Sequence, residues 1–320
     1  MHHYRWDLDK TYLQTDIQSV RGLVKAALQG AADKRNIPGA DHLLRALIAA
    51  SPAARVSVVS GSPLQMRGVL EEKLRRDGIR CDRLILKDNL RNLRKGRWRA
   101  LRGQLGYKLP ALLSLRAEAA PGATETLFGD DAEIDAAIYA AYREVIAGRL
   151  SREALEALLQ REQVYEDEAA AVWRHLARVR REEGVEDIFI LVDSDLPLAP
   201  YHHLGGAVTP VFCWFQAGAV LWKRGRLGVK ALPVLLDQCR APDVGLYALG
   251  SLLQDLVRRG ALSPDEVSAM LEEAPFEKGE RALAAELVGR LPPVSAPTPT
   301  IPDIPAFLDA VLQWREPQGR

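Results

Sequence analysis

Short apolar runs that alternate with helix-periodic stretches constrain this chain more than any other feature. YRWDL (4–8), VSVVS (56–60), DRLILKD (82–88), ATETLFGDD (123–131) and IFILVDSD (188–195) read as strands. QSVRGLVKAALQGAADK (18–34), ADHLLRALIAA (40–50), PLQMRGVLEEKLRRDG (63–78) and KLPALLSLRAEA (108–119) read as helices between them. Gly78 closes the third, and Pro110 suits the first turn of the fourth. Strands separated by helices argue for parallel βαβ units. The expected fold is α/β: a three-layer α/β/α sandwich around a mostly parallel, Rossmann-like sheet of five or six strands.

Two helical stretches follow the fourth strand, giving a helical insertion at about 136–183 within a first domain of 1–235. VTPVFCWFQAGAVLW (208–222) reads as a buried strand and helix, because Pro210 and Gln216 interrupt it. Residues 236–290 read as a helical section, in which Ser263, Pro264 and Glu266 spell a capping box. LPPVSAPTPTIPDIP (291–305) reads as a proline-rich linker or strap, and 306–320 as a terminal helix that docks back, with a tail.

Composition narrows the classes. With 48% hydrophobic and 27% charged residues the chain can bury an ordinary globular core, and a net charge of +1 demands neither nucleic acid nor an anionic membrane. Cys81, Cys213 and Cys239 are odd in number and far apart, so no disulfide framework or zinc knuckle is suggested. A reducing, cytoplasmic setting is expected. No stretch reads as a signal peptide, and none reaches the ~18 apolar residues of a spanning helix.

In sheets of this kind ligands sit at the carboxyl ends of strands, and Asp7, Ser60 and Asp130 each fall at such an end. The set suits phosphomonoester hydrolysis. A carboxylate can split that task through an aspartyl-phosphate, a second acid can protonate the leaving oxygen and then activate water, and a magnesium ion with a lysine offsets the charge. Asp7 takes the nucleophile position. Asp9, two residues on, faces the same ligand as acid/base, and its backbone carbonyl can reach the metal. The Ser60 hydroxyl can hold a phosphate oxygen, Lys108 can bridge nucleophile and phosphate, and Asp130 can complete the magnesium site, with Asp131 and Asp135 close by.

DLDKT, VVSGS, a lysine before a helix and GDDAEID resemble, in order, the four motifs of the haloacid dehalogenase superfamily of phosphatases. Longer stretches, NIPGADHLLRAL, VVSGSPLQMRGVLEEKL and GDDAEIDAAIY, resemble the actin-patch-type phosphatidate phosphatases. Gly61 stands where that family has asparagine in V-S-N-S-P. Asp131 and Ala132 replace Ser-Gly of GDSG, and Ala136 replaces the proline of DPEIY. The similarity covers about residues 4–145. It implies Asp7, Asp9 and Lys108 as catalytic residues, and Thr11, Ser60, Gly61 and Lys108 as phosphate-binding. It implies Asp7, Asp9 and Asp130 as metal ligands for Mg2+, with Asp131 and Asp135 in support. The expected function is a magnesium-dependent phosphatase of phosphatidate or another lipid phosphate. Two alternatives stay open: a non-catalytic binding or regulatory module on the same scaffold, and a phosphatase of a soluble metabolite or nucleic-acid end. The expected partner is a phosphorylated small molecule or lipid headgroup, with transient membrane-surface contact. Nucleic acid is not an expected partner.

The remaining features have modest readings beside sharper ones. Residues 83–108 hold nine Lys/Arg (including Arg91, Arg94, Lys95, Arg97, Arg99 and Arg102) against Asp88 alone, and read as a solvated helix face or an electropositive rim around an anionic substrate. Trp98 within it can stack on a base or rest at a headgroup layer. Asp193 and Asp195 form a rival acidic pair that reads as a cap after the fifth strand. His2 and His3 read as the polar start of the first strand, a metal clip or a tag remnant. His202 and His203 read as loop residues or substrate contacts.

Overall fold

A computed structural model describes residues 1–15, 30–88, 103–194, 196–240, 247–292 and 301–315. Six strands form one sheet: β1 (His2–Trp6), β2 (Arg55–Pro63), β3 (Arg83–Lys87), β4 (Thr124–Asp130), β5 (Val185–Leu191) and β6 (Thr209–Val211). Their order is β3-β2-β1-β4-β5-β6. β1 pairs in parallel with β2 and β4, β2 with β3, and β4 with β5. Helices lie on both sides, so the expected α/β sandwich is the observed one. The strand order reverses between β1 and β4, which places a topological switch point, the usual ligand crevice of such sheets, at their carboxyl ends.

β1 is the central strand, although three of its five residues are polar. Its residues are all buried, so each polar group needs a partner. The His2 ring contacts the Thr124 and Thr126 hydroxyls at 2.7 and 3.0 Å. Arg5 donates to Glu125 at 3.1 Å and to Ser57 at 2.9 Å, and Tyr142 donates to the same Glu125 at 2.8 Å. The Arg5 partners sit on the two strands beside β1, so His2 and Arg5 are satisfied sideways within the sheet, whereas both His3 ring nitrogens are buried without a hydrogen-bond partner. Tyr4 and Trp6 supply the apolar content, with the Trp6 ring stacked 4.1 Å from Phe128. His2 and His3 therefore lie inside the sheet rather than in a clip, and burial brings the His3 imidazole down to about 4, so it is neutral.

The chain divides into two compact units, Met1–Arg35 with Ala53–Pro210 and Thr300–Arg320, and Asn36–Pro52 with Val211–Pro299. In the first, α2 (Arg67–Arg76), α3 (Leu105–Ala117), α4 (Asp135–Ile146), α5 (Arg152–Arg161), α6 (Glu166–Leu176) and α12 (Ile304–Arg315) accompany the sheet. Leu109, Leu112, Leu127, Ile138, Ile188 and Phe307 belong to one continuous core. The second holds α1 (Ala40–Ala50), α7 (Trp214–Lys223), α8 (Ala231–Cys239), α9 (Tyr247–Arg258), α10 (Pro264–Glu273) and α11 (Lys278–Gly289). The capping box at α10 is present: Ser263 accepts from Glu266 N–H at 3.1 Å, and Glu266 accepts from Ser263 N–H at 2.7 Å.

Several element boundaries differ from expectation. Helix α3 begins at Leu105, so Pro110 lies inside it rather than in its first turn. Three helices, not two, separate β4 from β5. β5 runs from Val185 and ends at Leu191, before Asp193. The helix expected over 18–34 falls largely outside the described residues; only 30–34 of it is described, with Ala31–Asp33 as a 3-10 turn. Residues 89–102 of the basic segment, Trp98 included, and Asp195 also lie outside them, as do 293–300 of the linker. Among the described residues, no helix is long and apolar enough to cross a membrane.

Candidate active site

The loop Leu8–Leu13 leaves β1 and closes on itself. The N–H groups of Tyr12 and Leu13 both reach the Leu8 carbonyl, at 2.9 and 2.8 Å, and Lys10 adopts a left-handed φ of 58° at the bend. Asp7 N–H donates to the Phe128 carbonyl at 2.9 Å, which extends the β1–β4 ladder by one residue and fixes Asp7 beside the end of β4. From there a buried cluster assembles. Ligand oxygens of Asp7, Asp130 and Asp135 all lie within 4.8 Å of one another. The Thr11 hydroxyl sits between two of them, 3.3 Å from Asp7 and 3.0 Å from Asp130. Asp130 also accepts from Ala132 N–H at 2.7 Å.

Lys108, in the first turn of α3, is 1% exposed and reaches Asp7 at 2.9 Å, Asp135 at 2.5 Å and Glu133 at 3.3 Å. Asp135 opens α4, where the N-terminal end of the helix favours negative charge. Its approach depends on Gly129: a Cβ there would lie 2.6 Å from Asp135 Oδ2 and 2.8 Å from the Tyr139 ring. Three buried carboxylates thus face one buried ammonium, an excess of negative charge that a low-dielectric site tolerates poorly. Burial, foremost, holds Asp7, Asp130 and Asp135 above the carboxylate range, with their mutual repulsion adding to it for Asp7 and Asp130. Burial would lower Lys108, but Asp135, Asp7 and Glu133 overcome it and raise the lysine well above its ordinary value.

This donor set fits a hard divalent cation. The oxygens are close enough to share one ion, and Asp135 Oδ2 is buried without a hydrogen-bond partner.

Asp9 stands apart from the cluster. Its Oδ2 accepts from Ser60 at 3.0 Å and from Ser62 at 2.7 Å, and Ser60 in turn accepts from Ser62 N–H at 2.9 Å. Burial raises the Asp9 carboxyl, and the Ser62 and Ser60 hydroxyls oppose it. Ser60, expected on phosphate, is thus engaged with Asp9. Gly61 lies against Gln104, whose Nε2 would be 3.0 Å from a Cβ at that position.

Asp131 points elsewhere. Its Oδ1 accepts from the N–H groups of Asp193 and Ser194, each at 3.0 Å, and its Oδ2 from the Ser194 hydroxyl at 2.6 Å. It therefore fixes the chain leaving β5, and the Asp193 backbone is part of that clasp. The Asp131–Glu133 turn is braced from outside by α12: Arg315 Nη2 donates to the carbonyls of Asp131, Ala132 and Glu133 at 3.0, 3.1 and 3.3 Å. His202 and His203 lie in the helical turn Ala199–Ala207 with rings 3.9 Å apart, and neither joins an acidic or thiol cluster among the described residues.

Three participants escaped sequence reasoning. Glu133 ties Lys108 to Gln104, whose Nε2 donates to it at 2.6 Å, and Ser62 makes the shorter bond to Asp9. Glu133 sits inside GDDAEID, and Ser62 inside VVSGS, so proximity to a motif was the available signal. Gln104 carried none.

No curated protein and no solved structure matches the chain. Residues 6–152, the stretch that supplies Asp7, Asp9, Ser60, Lys108, Asp130 and Asp135, match the family model of phosphatidate phosphatase APP1, catalytic domain.

Proposed function

We propose that the chain is a divalent-metal-dependent phosphomonoester hydrolase of the haloacid dehalogenase type, acting on phosphatidate or a related lipid phosphate. The observation that carries the reading is Asp7 at the end of β1, joined through Lys108 and Thr11 to Asp135 and Asp130 at the switch point of the sheet. The family match supports a lipid phosphate as the substrate.

An Asp7 oxygen attacks phosphorus and the bond to the leaving oxygen breaks, leaving an aspartyl-phosphate. Asp9 gives its proton to the leaving alkoxide. It then takes one from the water that cleaves the acyl phosphate, which restores Asp7 and releases inorganic phosphate. An acid raised by burial suits the first step. Lys108 holds Asp7 in place and offsets its charge beside the incoming phosphate. Asp7, Asp130 and Asp135 would hold Mg2+, with the Asp9 backbone carbonyl as a further ligand. When bound, the ion neutralises phosphate charge and orients its oxygens.

Phosphate release from phosphatidate vesicles and from an aryl phosphate, each with Mg2+ and with a chelator, tests the reading. Magnesium-dependent release from either substrate supports a phosphatase, and preference for the vesicles supports the lipid. No release from vesicles, aryl phosphate or a panel of soluble phosphates would overturn it in favour of a binding module.

Two further outcomes follow from the electrostatics. Carboxylates raised in the folded state stabilise it at low pH, and that contribution is lost as pH rises through their folded values. Mg2+ replaces the missing protons, so its effect on the melting temperature should be larger at pH 8 than at pH 5. Calorimetry in Mg2+ and in chelator checks this; an equal shift at both values would place the ion elsewhere. Second, Ser62→Ala removes a bond that favours the ionised form of Asp9. The alkaline limb of the kcat/KM profile should move to higher pH, and an unmoved limb would take the acid role from Asp9.

A further inference from the structure

Helix α12 carries an arginine to the turn that links two members of the carboxylate cluster. The helix itself is seated by other contacts. Phe307, Leu308 and Val311 are buried in the core, and the Phe307 ring lies 5.4 Å from that of Tyr201. Asp303 N–H donates to the His203 carbonyl at 2.7 Å, and Asp309 accepts from Arg161 at 2.8 Å. Arg315 is the last residue of the helix, so its side chain can be changed while those contacts keep α12 in place.

The carbonyls of Asp131, Ala132 and Glu133 converge on one Arg315 Nη2, at 3.0, 3.1 and 3.3 Å. Three carbonyl dipoles aimed at one point repel each other unless a cation sits there. The amino group has fewer hydrogens than these acceptors, so its hold is electrostatic as well as directional. The turn in its place sets the site. Asp130 precedes it, and its Oδ1 accepts from Ala132 N–H at 2.7 Å. Glu133, within it, accepts from Lys108 at 3.3 Å and from Gln104 at 2.6 Å. Asp135 follows it at the start of α4. A turn free to rotate its peptide planes would shift all three carboxylates against one another.

We propose that Arg315 is a positioning residue for the metal site: by holding three carbonyls of one turn, it fixes the spacing of Asp130 and Asp135 and the bond between Glu133 and Lys108. The identity of the ion rests on the proposed function, whereas the brace stands on the turn alone. Arg315 acts through the placement of the carboxylates and not on a reacting group. Removing a partner that orients metal ligands costs about 10–100-fold in metal affinity. More Mg2+ offsets a weaker site, so the resulting loss of activity depends on the Mg2+ concentration.

Arg315→Ala and Arg315→Lys in the full chain test this. In the metal-free protein, hydrogen exchange of a peptide covering 129–136 should be about tenfold faster in Arg315→Ala, with exchange along α12 unchanged. Titration calorimetry should show Mg2+ bound about tenfold more weakly. Arg315→Lys should fall between Arg315→Ala and the wild type, because it keeps the charge and loses the planar fork. The deficit in phosphate release should shrink as Mg2+ is raised. Unchanged exchange in the turn, or equal Mg2+ affinity in the wild type and Arg315→Ala, would overturn the proposal and leave the phosphatase reading standing. So would a metal-free melting temperature lowered by more than about 5 °C, which would make Arg315 a structural residue. Absence of Mg2+ binding by the wild type would overturn the metal reading and this one together.

Discussion

Asp7→Asn should lower phosphate release by at least about 10³-fold, since a carboxamide cannot serve as the nucleophile. The same substitution should not destabilise the metal-free protein. Asp7 is buried among Asp130 and Asp135, and burial already disfavours its ionised form, so a neutral side chain of equal size relieves repulsion. The asparagine can still accept from Lys108. The melting temperature without metal is therefore expected to equal or exceed that of the wild type, while the stabilisation by Mg2+ shrinks. Parallel assays and melts in chelator and in Mg2+ check both halves. Retained turnover would remove Asp7 from the chemistry. Lost turnover with a collapsed fold would make it a structural residue instead.

Lys108→Met reverses that pattern and should harm stability as well as rate. The ammonium is 1% exposed and serves Asp7, Asp135 and Glu133 together. Removing one partner of a buried ionic cluster costs about 3–5 kcal/mol, because the charges left behind have no compensation. The penalty carries a pH signature. Without Lys108 the buried carboxylates bind protons more tightly in the folded state, so stability should fall as pH rises through their raised values and recover on mild acidification. Denaturant melts at pH 5.5 and 8 measure this. A deficit of the same size at both values, or under about 1 kcal/mol at pH 8, would mean that the cluster is not held as an ionic unit. Activity should fall at every pH, because acid restores the fold without restoring the cation.

The sequence made the sheet legible because its strands are short, apolar and evenly interrupted by helices. It made DLDKT and GDD legible because their acids follow strands. β1 was harder: His2 and Arg5 look unsuited to a central strand until Thr124, Thr126 and Glu125 are seen alongside, and that pairing is a property of register. Asp131 and Asp135 could not be told apart by spacing. They are four positions apart, a helix starts at the second, and only the fold turns the first toward Ser194 and the second toward Lys108. Pro110 misled because the sequence placed the start of α3 at Lys108. Gln104 bears no charge and follows no motif, so nothing marked it.

The guanidinium brace on the Asp131–Glu133 turn has a consequence in time. Arg315 follows Asp131 by 184 positions. At ribosomal rates of roughly 5–20 residues per second, the turn leaves the tunnel roughly 10–40 s before its brace. During that interval the nascent chain carries every acidic side chain of the cluster but lacks the contact that holds the turn between Asp130 and Asp135. The brace on the cluster thus waits for residue 315, and chains stalled before it emerge with the carboxylates in place and the turn unbraced.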